Sequence, residues 1–187
     1  MLEKHLAAQN FDIEETRPAG FWIRVAASLI DMLILAVFSV GALFMKSVGA
    51  YLLMVLPTIL YKPVLEGLLG GTAGKLAIGL RVINAHGQLL GLAGGFVRAG
   101  VFILPAIPNI LLQVKMIQQG ISPFDPEQAM AFQQANELLY YVSYALSALL
   151  LVSCLVVAFT RRKRGLHDFI ADSYVIHHDK GTAPNEG

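Results

Sequence analysis

Charge is scarce in this sequence. Only 14% of its 187 residues are Asp, Glu, Lys or Arg, against about 25% in an ordinary soluble domain. The formal net charge is +1, so no polyanionic partner such as nucleic acid is implied. Cysteine is rarer still. Cys154 stands alone in an apolar run, which excludes an internal disulfide, and no Cys/His cluster has the spacing of a zinc site. No nucleophile–base pair, metal site or cofactor loop is recognisable, so an enzyme is the least supported class and no cofactor is expected. The first 19 residues lack the basic start and apolar stretch of a signal peptide. They are expected to stay attached and cytoplasmic, with the first helix acting as its own insertion signal.

What the sequence has instead is apolar surface. Hydrophobic residues make up 56%, and the mean hydropathy is +0.61. Such a chain would aggregate in water, so its solvent is read as lipid. A helix crossing roughly 30 Å of hydrocarbon needs about 20 apolar residues. Four segments qualify: residues 20–45, 48–69, 92–114 and 138–160. The second carries Pro57 and Pro63 and the third Pro105 and Pro108, which predicts kinks or one re-entrant segment. The expected fold class is all-α, an integral membrane helical bundle of about four transmembrane helices with both termini cytoplasmic. The chain divides into a segment 1–19, a bundle 20–160 with an inner loop 70–91 and an outer loop 115–136, and a tail 161–187.

Orientation follows from lysine and arginine placement. With the N-terminus inside, the outer loops hold only Lys46 and Lys115, and Arg161-Arg162-Lys163-Arg164 closes the last span on the inner side. This fits a bacterial cytoplasmic membrane. Phe21 and Trp22 suit the inner interface, and Tyr140, Tyr141 and Tyr144 the outer one. Residues 80–85 read as a short strand, with a turn at His86-Gly87. Asp125 or Ser122 is expected to cap a short outer helix beginning near Glu127. The tail after Arg164 is too short to span and is expected to dock beneath the bundle.

Ionisable residues inside apolar segments carry the functional question. Arg24 and Asp31 lie seven apart, nearly two turns, and face one side. Asp31 falls roughly 15 Å from Phe21 along the helix. A charge near the bilayer centre costs at least about 2.5–3.5 kcal/mol. Burial disfavours its charge and a nearby guanidinium favours it, and these opposed effects leave Asp31 able to exchange a proton. Asp31 is then a proton or cation site, or else an internal ion pair with Arg98 or Arg24 that only fixes packing. Lys62 and Glu66 share a helix face. Glu66 is read either as a second carboxylate lining an inner vestibule or as snorkelling, and Lys62 as snorkelling to headgroups. Arg98 stays charged and needs a carboxylate or phosphate, from Asp31 or a lipid, in a structural role.

Gly70-Gly71-Thr72-Ala73-Gly74-Lys75 is not a Walker motif. Three residues rather than four separate Gly70 from Gly74-Lys75, and Leu76 follows. Its glycines are read as allowing tight turns against helix ends. His167-Asp168 has no nucleophile beside it, and Asp168 is expected to neutralise local positive charge, Arg24 included. The pair His177-His178 points to metal only by composition.

Three blocks in order carry a resemblance: Phe21-Trp22-Ile23-Arg24 leading to Asp31; residues 71–82, with Gly71, Thr72, Gly74, Lys75, Gly79 and Arg81; and Arg164-Gly165-Leu166-His167-Asp168. Together they resemble the RDD family of membrane proteins, named for one arginine and two aspartates. The resemblance implies that these are Arg24, Asp31 and Asp168. The family usually continues with Gly-Thr, where this chain has Asp172-Ser173, and the outer segment 124–135 is longer than the family minimum. Some members look like cation/proton antiporters and others like scaffolds in membrane complexes. The expectation is a small transporter exchanging Na+ or a similar cation for protons. Asp31 would bind each in turn, and Arg24 would hold a gate closed through Asp168. Expected partners are membrane lipids, monovalent cations, protons and further copies of the chain, because four helices make a poor channel wall. The alternative is a non-transporting scaffold or assembly factor.

Overall fold

The computed structural model describes residues 16–177. The expectations for residues 1–15 and for His178 lie outside them. Four helices are long and apolar enough to cross a membrane: α1 (Phe21–Leu43), α2 (Val48–Leu69), α4 (Gly91–Gln118) and α6 (Glu137–Phe159). The protein is therefore a helical membrane bundle. α1 and α2 form a hairpin, with the Ser47 hydroxyl accepting the Ala50 N–H to start α2. Gly70, at φ 73°, ends α2 in the left-handed region that only glycine enters freely.

α4 corrects the expectation for the third span. It is one continuous 28-residue helix, neither re-entrant nor confined to 92–114. Each interior proline removes one backbone bond, but α4 packs against both α2 and α6, and packing of this kind tolerates the loss. The approach to α2 is close because glycines permit it. A Cβ on Gly95 would lie 2.2 Å from the Pro63 carbonyl oxygen, and one on Gly67 2.6 Å from that of Gly91. This contact brings Glu66 of α2 opposite Arg98 of α4.

The spans touch in the order α1–α2–α4–α6, while α1 and α6 meet only sparsely. One end of the bundle is closed by a cap. Its parts are α3 (Ala73–Ala77), β1 (Leu80–Asn84), α7 (Leu166–Ile170) and β2 (Ser173–His177). β1 and β2 pair antiparallel with Val82 opposite Val175, so the predicted strand exists and the tail supplies its partner. The Ala19 N–H donates to the Val175 carbonyl at 2.8 Å. A small core of Ala19, Ala27, Leu80, Val82 and Val175 joins the cap to α1. At the opposite end, Asp125 caps the short helix α5 (Pro126–Ala135), as expected. There Leu112, Met116 and Phe132 form a second core.

Candidate functional site

Under the cap, buried charges alternate in sign along a row. The Arg24 guanidinium donates to Asp168 Oδ2 at 2.7 Å, Arg98 donates to Asp168 Oδ1 at 2.5 Å and to Glu66 Oε2 at 3.1 Å, and Lys75 donates to Glu66 Oε1 at 2.5 Å. Arg98, Glu66 and Asp168 are wholly buried. Burying them is tolerable because each charge meets opposite ones and the planar Arg98 fork reaches two carboxylates at once. Arg24 also donates to the Ala19 and Lys163 carbonyls, and the Gly165 N–H donates to Asp168 at 2.9 Å. The row thus ties α1, α2, α4, the inner loop and the tail together.

Burial alone would push the Asp168 carboxyl up, but the Arg98 and Arg24 guanidiniums, with the Gly165 N–H, outweigh it and hold the acid well below the usual carboxylate range. Burial pushes the Lys75 ammonium down, opposed by Glu66. It pushes the His167 imidazole down to about 2. His167 is therefore a neutral neighbour at 3.5 Å from Asp168, not its counter-ion.

Asp31 lies apart from this row. It accepts from the Tyr61 hydroxyl at 2.7 Å, the Thr72 hydroxyl at 2.6 Å and the Gly74 N–H at 2.7 Å. Tyr61 in turn accepts the Ala73 N–H at 3.1 Å. No cation partners Asp31 among the described residues, so the alternative reading, an ion pair with Arg24 or Arg98, does not hold. Both guanidiniums are committed to Asp168, and Arg24 sits about 10 Å further along the helix. Glu66 likewise differs from its reading as an open vestibule ligand, because Arg98 and Lys75 occupy both its oxygens.

Gly74 allows the loop this close. A Cβ there would stand 2.1 Å from the Ala27 carbonyl oxygen and 2.9 Å from Asp31 Oδ1. Gly71 packs against Leu76, and Gly79 adopts φ 71° before β1. Arg81 lies in β1 opposite Ile176. Gly79 and Arg81 therefore shape the cap, while Thr72, Gly74 and Lys75 reach the buried polar groups.

Between the spans lies a cavity of about 660 Å³. Arg24, Asp31, Tyr61, Lys62, Glu66, Thr72, Lys75, Arg98 and His167 are among its polar lining. Lys62 does not snorkel outward. Its ammonium stands 2.9 Å from the Phe102 ring centroid, facing the cavity. Glu66, four residues on, is fully buried, and the shared helix face takes Lys62 inward with it. Sequence reasoning missed Tyr61, although a phenol inside an apolar span needs a hydrogen-bond partner. Arg164 stands in the basic run and in the last block of the resemblance, but its partners were not foreseen: it donates to Asp172 at 2.9 Å and to the Tyr174 hydroxyl at 3.0 Å.

Asp172 has φ 39°, a left-handed conformation that glycine adopts most easily and that Asp tolerates. In this chain Arg164 holds the aspartate, and the Ser173 hydroxyl lies 3.4 Å from Asp168.

The RDD family profile matches residues 18–172. Two Bacillus subtilis proteins, both uncharacterized, are similar. YckC is 26% identical over 169 residues, 88% of either chain. YxaI is 33% identical over 120 residues, 49% of this chain and 80% of its own. No solved structure matches.

Proposed function

The chain belongs to the RDD family of membrane proteins, and on that premise we propose that it is a small transporter exchanging a monovalent cation such as Na+ for protons at Asp31. One observation carries this reading. Glu66 and Asp168 each have two basic partners, whereas Asp31, on the cavity wall, is held only by neutral donors among the described residues. It is the carboxylate there whose charge is open to a proton or a cation. The Tyr61 and Thr72 hydroxyl oxygens beside it are suitable further ligands for a cation.

Protonation would take away part of the acceptor capacity that three donors now use. Thr72 and Gly74 would loosen, and the cap that carries Lys75 with them. Arg24 and Asp168 would hold the tail side of the cap shut meanwhile. The polar end faces the cytoplasm of a bacterial cell, in keeping with its basic residues, and several copies assemble in the membrane.

The test is cation-driven proton movement in everted vesicles. Wild type should exchange and Asp31→Asn, present at equal level and folded, should not. Exchange by that variant at the wild-type rate would end the proposal. The closed pairing of Glu66, Arg98 and Asp168 favours a second reading, a scaffold whose charges only lock helices. One stoichiometric partner, with no flux in pure liposomes, would support it.

A further inference from the structure

Four basic side chains line the cavity: Arg24, Lys62, Lys75 and Arg98. Three have carboxylate partners. Lys62 has none among the described residues, and its ammonium rests against the Phe102 ring. With Lys62 protonated, as a bound anion would favour, and Asp31 counted as charged, Glu66, Asp168 and Asp31 leave one positive charge over.

The cavity also has an apolar side. α1 and α6 meet only sparsely, and Leu29, Met32 and Leu151, which line the cavity from these two helices, are 55%, 65% and 62% exposed. In a bilayer this rim faces acyl chains rather than water. A ligand entering here must be apolar along its length and anionic at its tip. We infer that the cavity takes an anionic phospholipid, inserted sideways between α1 and α6, with its phosphate on the Lys62 ammonium and an acyl chain along Leu29, Met32 and Leu151. Free phosphate has the same tip chemistry but nothing to favour its passage across an apolar rim. The inference stands apart from the exchange reading, since it uses Lys62 and not Asp31.

The experiment is native mass spectrometry of the purified full-length protein in detergent, with phosphatidylglycerol and phosphatidylethanolamine of identical chains. Wild type should retain phosphatidylglycerol about fivefold better, the scale of one lysine against an anionic lipid. Lys62→Arg should keep that preference and Lys62→Met should lose it. Equal retention of both lipids by wild type, or an unchanged preference in Lys62→Met, overturns the inference. If Lys62→Met does not fold, Leu151→Trp fills the mouth with Lys62 intact. Reduced phosphatidylglycerol retention then supports the inference, and unchanged retention overturns it. Inorganic phosphate alone should not raise the melting temperature, and a rise equal to that given by phosphatidylglycerol would assign the site to a free anion instead.

Discussion

The Asp31 carboxylate and the Gly74 amide are joined by a 2.7 Å hydrogen bond, and the Ala27 carbonyl beside them leaves no room for a side chain on the glycine. A helix residue of the first span thereby fixes the loop that delivers Lys75 to Glu66. Gly74→Ala should push α3 off α1 and cost about 1–3 kcal/mol, the usual range for overpacking. Thermal unfolding in detergent measures it, and an unchanged midpoint would show that the latch is loose.

Asp168 and Asp172 sit four residues apart but should differ greatly in weight. Asp168→Asn leaves the buried Arg24 guanidinium without its carboxylate and Arg98 with Glu66 alone, and should cost roughly 3–5 kcal/mol. Asp172 is 71% exposed at its side chain, and loss of a surface pair of that kind costs about 0–1 kcal/mol. Unfolding midpoints of Asp168→Asn and Asp172→Asn compare them. Equal effects would mean that the buried row does not hold the tail.

His167 gives the cap a pH dependence of known sign. Its imidazole is pushed by burial to about 2 in the folded protein, while in the unfolded chain it titrates near 6.5. Below about pH 6.5 the unfolded state therefore binds a proton that the folded state does not. The stability due to this group is full above that pH and falls as the pH drops toward 2. Melting temperature between pH 7.5 and 4.5 should decline for wild type and decline less for His167→Gln. Parallel curves would contradict a buried neutral imidazole.

The spans were legible because lipid imposes a length and a composition that apolar runs display directly. Arg24 opposite Asp168 was legible too, through the basic run and the resemblance. The donors to Asp31 were not. Tyr61, Thr72 and Gly74 lie 30, 41 and 43 residues away, and no local pattern links them. Arg98 as a bridge between two carboxylates depends on the glycine-mediated approach of α2 and α4, which sequence spacing does not reveal. Lys62 was misread for a narrower reason. Spacing of four places it with Glu66, but only tertiary packing decides whether their shared face looks to lipid or to the interior.

Asp31 and Glu66 separate exchange from architecture. The most direct measurement uses purified protein in liposomes with a trapped pH dye, and follows proton movement when Na+ is added outside. Wild type should respond. Glu66→Gln should unfold at lower temperature, yet still respond in whatever fraction folds. Asp31→Asn, folded and reconstituted at equal density, should give no cation-dependent signal. A signal from Asp31→Asn equal to wild type would contradict exchange at this carboxylate.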